Sequence, residues 1–209
     1  MPKRSARRLS IAFASVLAVA AALAPSAQAG LLVESAGDCD EQSASQVFLP
    51  WLDVANYVLA PGGAAESADG WTLTGGAGVA PGNEPWNVHG AGDSSSLSLP
   101  SGSSATTGAM CVGIEHPTLR FFAKSSGAGP LSALKVEVLF EDSLGLVDSL
   151  TIGYAGPSGS WTPTAPYVVG ASLLPLLPGS HTPVAFRFTP QGTGSWRIDD
   201  VYVDPYGRH

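Results

Sequence analysis

The chain has few cysteines, little positive charge and almost no helical periodicity, and each shortage excludes a class of protein. Its 209 residues include two cysteines, Cys39 and Cys111. No Cys-x-x-Cys spacing is present, so a zinc ribbon or a thiol-exchange site has no framework. Ten Lys and Arg stand against seventeen Asp and Glu. With no basic stripe to offset that excess, phosphate backbones are repelled and no nucleic-acid partner is expected. Catalytic patterns are also missing. His89, His116, His181 and His209 are isolated, and neither His-x-His nor His-Glu-x-x-His occurs. Gly-x-Ser-x-Gly is absent. Glu137 and the pair Glu141-Asp142 are the remaining carboxylates for glycoside hydrolysis. Glu141-Asp142 follows a strand pattern and precedes Gly145, which reads as a solvated hairpin turn.

The N-terminal thirty residues carry the strongest signal. Lys3, Arg4, Arg7 and Arg8 form a basic end, Leu9 to Ala24 is almost wholly apolar, and Ala27-Gln28-Ala29 supplies small residues at a cleavage position. Residues 1–29 therefore read as a secretory signal peptide, the apolar run being shorter than the ~20 residues that span a bilayer. The mature part, 30–209, is expected to be one extracellular domain. It keeps six basic and all seventeen acidic residues, a formal net charge of −11. A membrane span is not expected in it, because the apolar stretch Val168 to Leu177 is interrupted by Gly170 and Pro175. In an exported chain an even pair of cysteines is expected to bond, here Cys39 to Cys111.

Short segments rich in branched and aromatic residues alternate with Gly, Pro and Ser. Strands are expected at Tyr57–Leu59, Trp71–Leu73, Ser96–Leu99, Met110–Ile114, Leu119–Ala123, Leu134–Phe140, Ser149–Tyr154, Tyr167–Val169, Val184–Phe188 and Ser195–Val203. Leu134, Val136, Val138 and Phe140 alternate with Lys135 and Glu137, and Phe186 and Phe188 flank Arg187, as in strands with one buried face. The runs 75–78 (Gly-Gly-Ala-Gly) and 157–160 (Pro-Ser-Gly-Ser) read as turns. Gly170 to Leu177 reads as a helical turn or an irregular strand. The predicted fold class is all-β, an antiparallel jelly-roll β-sandwich.

Two segments carry a resemblance. Pro61-Gly62-Gly63-Ala64-Ala65-Glu66, continuing to Gly70-Trp71-Thr72, resembles the opening of carbohydrate-binding-module-type, or galactose-binding-like, jelly rolls. Trp196-Arg197-Ile198-Asp199-Asp200-Val201-Tyr202-Val203 resembles their closing strand. The chain also resembles a group of secreted actinobacterial proteins. Ala65 departs from the pattern, standing where the opening motif carries Phe. The resemblance implies a structural calcium shared between Glu66 and Asp199 or Asp200. If Val201 and Val203 face the core, strand alternation puts Asp199 on their side, where a lone carboxylate needs a partner or an ion. Pairing with Arg187 or Arg197, or capping of a turn, is the other reading of the Asp-Asp pair.

Aromatic side chains are the better ligand candidates, since an indole plate covers the apolar face of a sugar while polar neighbours bind its hydroxyls. Trp86 lies in a loop-like stretch with Asn83 and His89, and Trp161 lies beside Gly159-Ser160. Trp71 and Trp196, within the two motifs, read as core. The expected function is non-catalytic binding of an extracellular or cell-wall glycan. A structural or adhesive extracellular protein is the alternative, and a secreted hydrolase a further one.

Overall fold

The structure, a computed structural model, describes residues 43–113, 117–142, 146–170 and 181–204. In chain order the strands are β1 (Ala44–Ser45), β2 (Tyr57–Leu59), β3 (Trp71–Thr74), β4 (Gly78–Pro81), β5 (Ser95–Leu99), β6 (Ser104–Thr107), β7 (Met110–Val112), β8 (Thr118–Ser126), β9 (Ala133–Glu141), β10 (Val147–Ala155), β11 (Thr162–Pro163), β12 (Tyr167–Val168), β13 (Thr182–Gln191) and β14 (Ser195–Val203). They form two sheets, and every pairing is antiparallel. In the first sheet β14 is central, with β8 along one edge and β5 then β2 along the other. In the second, β13 lies between β9 and the successive strands β6 and β7, and β10 and β3 are the outer strands. This is an all-β jelly-roll sandwich. Among the described residues no helix is long and apolar enough to cross a membrane.

Period-two patterning builds the core. Leu134, Val136 and Val138 of β9 and Val184, Phe186 and Phe188 of β13 are buried against Leu119 and Phe121 of β8 and Trp196 and Ile198 of β14. On the opposite face Glu137 bonds Arg187 and Lys135, each at 2.9 Å. The strands legible as alternating patterns occur where expected. Four others, β1, β4, β6 and β11, were not expected and depend on tertiary pairing. β6 is a run of small polar residues held by ladders to β3 and β13. β4 begins at Gly78, the last residue of the glycine run, and pairs with β5. Cys111 is buried on β7. Cys39, residues 1–29, Ile114 and the stretch 171–177 lie outside the described residues.

β14 contains the irregularity that matters most. Ile198 and Val201 both enter the core although two residues separate them, because the ladder with β8 breaks register between Asp199 and Tyr202. Such a bulge turns the intervening side chains out of alternation. Asp199 consequently lies opposite Phe122, on the outer face, rather than on the side of Val201 and Val203 as simple alternation requires. Asp200 sits within the bulge in the left-handed backbone region, φ 50°. The bulge is clamped by the opening motif: Ala60 N–H donates to Val201 O at 2.9 Å and Val201 N–H to Gly63 O at 3.0 Å. A Cβ on Gly63 would lie 2.5 Å from Val201 O and 2.8 Å from Ala60 O, both backbone atoms. Gly63→Ala should therefore destabilise the domain by about 1–3 kcal/mol in urea unfolding. An unchanged midpoint would mean that the clamp yields freely.

Outside the first sheet a second apolar cluster forms from Phe48, Tyr57, Phe122 and Tyr202, covered by Trp51 and Val88. The Arg120 guanidinium lies 4.3 Å from the Phe48 ring centroid and pairs with Asp53, which also accepts the Tyr57 hydroxyl at 2.7 Å. Burial would raise the Asp53 pKa, but the bonds from Tyr57, Ala55 and Arg120 outweigh it and hold the carboxyl below its ordinary range.

Candidate functional site

The loop from Gly82 to Asp93 lies across this second cluster, and one buried carboxylate organises it. Glu84 is 1% exposed. Its two oxygens accept the Trp86 N–H at 2.5 Å and the Val88 N–H at 2.7 Å, and its own N–H donates to Asp199 Oδ2 at 2.9 Å. The loop is anchored at its start by Arg197, whose Nη2 donates to the carbonyls of Ala80, Pro81 and Gly82. Asp199 thus serves the loop through its outward position, with Oδ1 taking the Asp200 N–H at 3.1 Å.

The result is a presented indole. Trp86 is 45% exposed and stands edge-on to Trp51 at 5.0 Å between ring centroids, with its other contact on Phe122 at 5.4 Å. Trp86, Val88 and His89 line an open groove of about 690 Å³ together with Ser45, Gln46 and Leu49. An apolar plate beside an amide, a hydroxyl and an imidazole is the chemistry that a sugar ring requires. Of the four ligand residues expected from sequence, the fold therefore brings Trp86 and His89 to one groove. Asn83 lies outside it, its amide bonded to Asn87 Oδ1 at 2.8 Å. Trp161 is half-buried at the edge of the second cluster, with the Lys124 ammonium 4.8 Å from its ring centroid.

The acidic residues of the two motifs divide into two sets. Glu66 takes the N–H groups of Ser94 and Ser95, both at 2.9 Å, and the Ser94 hydroxyl at 3.2 Å. Burial tends to raise its pKa, but the donors from Ser95 and Ser94 lower it overall. Asp199 is likewise occupied by two backbone amides. Asp200 is different: it is 0% exposed, no N–H or hydroxyl donates to either carboxyl oxygen, and its nearest polar partner is the carboxylate of Glu84. One donor atom each from His89, Asp93 and Asp200 fall within 4.8 Å of one another, and His89 Nδ1 is 3.0 Å from Asp93 Oδ2. Burial, and then the neighbouring carboxylates, push Asp199 up to about 8 and Asp200 up to about 9.

Glu84 and Asp93 were not singled out for these roles by sequence. The signals available were the placement of Glu84 two and four residues before the amides that it binds, and the i, i+4 spacing of His89 and Asp93. Of the residues implied for calcium, Asp200 enters the cluster, whereas Glu66 and Asp199 are engaged by backbone N–H groups. Calcium takes six to eight oxygen ligands. An imidazole nitrogen with two carboxylates does not suit it.

The jelly-roll architecture is similar to that of solved carbohydrate-binding modules. A crystal structure of Clostridium thermocellum endo-1,4-beta-D-xylanase 10B, comprising family 22 carbohydrate-binding and GH10 modules with xylohexaose, superimposes with a TM-score of 0.50 at 17% identity. The similarity covers 72% of this chain and 29% of the xylanase chain, so this chain spans less than a third of that relative's length. The family 22 xylan-binding domain of Paenibacillus barcinonensis Xyn10C matches with a TM-score of 0.48 at 14% identity, over 74% of this chain and 97% of that domain. No family model matches the chain, and no curated protein does.

Proposed function

We propose that this chain is an exported, non-catalytic carbohydrate-binding module that receives a glycan along the Trp86 groove. The observation that carries this reading is the exposed indole fixed on Trp51 and Phe122, its own backbone N–H held by buried Glu84. A rigid aromatic face binds without having to be ordered first, which keeps the entropic cost of association low. His89 is the polar group placed to receive a sugar hydroxyl, and Gln46, whose Nε2 donates to Val54 O at 2.7 Å, lines the same groove. The basic, apolar and small-residue pattern of residues 1–29 supports export, and export in turn supports a Cys39–Cys111 disulfide. Xylan-type oligosaccharides are the first ligands to test, because the similar xylanase structure is a complex with xylohexaose.

A glycan array that includes xylan oligosaccharides tests the reading directly. Trp86→Ala should lower affinity for the best ligand by a factor of about 30 or more, the loss typical of an aromatic anchor worth ~2 kcal/mol. Its melting temperature should change little, since the side chain is nearly half exposed. Loss of stability of ~3 kcal/mol with unchanged affinity would make Trp86 a packing residue and overturn the proposal. Thiol labelling of the folded protein tests the disulfide, and two readily alkylated thiols would refute it.

A further inference from the structure

We infer that His89, Asp93 and Asp200 form a binding site for a borderline transition-metal dication of the zinc class, which the site prefers to calcium. The His89–Asp93 contact taken alone is an ordinary i, i+4 pair. It leaves Asp200 facing the Glu84 carboxylate with no donor from the protein. A fully buried carboxyl with no donor on either oxygen is uncommon in a native fold and calls for an ion, a water or a shared proton. The backbone adds to the case: Asp200 is a non-glycine residue held in the left-handed region inside a clamped bulge. That conformation turns the carboxyl from the strand ladder toward the His89–Asp93 pair.

The surrounding groups define the charge that fits. Asp199, Glu84 and Asp93 all place negative charge near Asp200. The oxygens of Glu84 are already committed to the N–H groups of Trp86 and Val88. They supply field and leave the direct donors as one nitrogen and two carboxylates. Imidazole suits zinc and its first-row neighbours, whereas calcium and magnesium take oxygen. Three protein donors with solvent on the remaining side are the usual equipment of an open zinc site. Access runs through His89, whose side chain is 40% exposed, while that of Asp93 is 8% exposed. His89 also lines the groove, so a bound ion would fix the groove's imidazole in place.

Titration calorimetry on the purified protein, stripped with EDTA and then dialysed, tests the site without any glycan. Zinc chloride should bind at one equivalent with a dissociation constant at least tenfold lower than that of calcium chloride. His89→Ala should weaken zinc at least tenfold and leave calcium nearly unchanged. Asp200→Asn should remove high-affinity zinc binding, and Asp93→Asn serves the same purpose if that variant does not fold. Cobalt(II) provides a second readout: its visible absorption should intensify on binding and be lost in His89→Ala. Tighter binding of calcium than of zinc would overturn the inference, as would zinc binding unaffected by His89→Ala. Absence of binding by every metal, with Asp200→Asn more stable than the unmodified protein, would leave a proton shared between Asp200 and Glu84 and also refute the site. Failure of the glycan array alone changes none of these results.

Discussion

Glu84→Ala is expected to cost the domain roughly 3–5 kcal/mol and to abolish glycan binding at the groove in the same variant. The carboxylate makes two charge-assisted bonds to N–H groups of its own loop, and each such bond is worth about 1.5–3 kcal/mol. Truncation leaves both amides without their acceptor and opens a void where a side chain was almost wholly buried. It also frees the Trp86 backbone, so the indole loses its fixed bearing on Trp51 and Phe122. Glu84→Gln retains one acceptor oxygen and should fall between the two. Urea unfolding with intrinsic tryptophan fluorescence reads the stability, and the glycan array reads the groove. A Glu84→Ala protein as stable as the parent would show that water replaces the carboxylate, and the organising role would fail.

Raising the pH in the presence of EDTA is expected to destabilise the fold steadily between about pH 5 and pH 9. Asp199 and Asp200 have native pKa values raised from 3.8 to about 8 and about 9 by burial and by neighbouring carboxylates. Asp204 is raised to about 6, again chiefly by burial, with Asp53 adding to it. A carboxyl with a raised native pKa binds more protons folded than unfolded throughout that interval. Its contribution is complete below the unfolded value and is lost as pH climbs through the native one. At the acid end the sign reverses. Asp53, Glu66 and Glu137 are lowered in the native state, so what they contribute is lost as pH falls through the acid range. Glu137 is the type case: burial opposes ionisation, but bonds from Arg187 and Lys135 outweigh it. Melting temperatures measured by calorimetry in EDTA should therefore peak in mildly acidic buffer and fall by several degrees toward pH 9. A curve that rises from pH 5 to pH 8 would contradict the burial of Asp199 and Asp200.

The two halves of the proposed function differ in what supports them. The groove stands on visible geometry: an indole seated on two aromatic rings and a set of polar neighbours. The cation stands on a deficit, a carboxyl that the protein itself does not satisfy. Because both use the loop from Gly82 to Asp93, a change in one is expected to reach the other through His89 and Glu84. Gly63→Ala acts on the same region from beneath, through the bulge that orients Asp200.

Fold class was legible in the sequence because β9 and β13 send alternate apolar residues into the core, and a period of two survives in the residue order. Leu134, Val136 and Val138 against Lys135 and Glu137 needed no partner strand to be recognised. β6 was not legible, since Ser, Ala and Thr carry no pattern until ladders to β3 and β13 define them. Trp86 and His89 were legible as an exposed aromatic and a polar neighbour in one loop. Their common groove depends on Ser45, Gln46 and Leu49, which arrive from a distant part of the chain. For Asp199 and Asp200, sequence alone determined that two adjacent acids lie within a core strand. Only the tertiary structure decided their separate roles, because the register break in β14 is imposed by the 60–63 turn across the sheet. That break sends Asp199 outward to hold Glu84 and buries Asp200 beside His89 and Asp93.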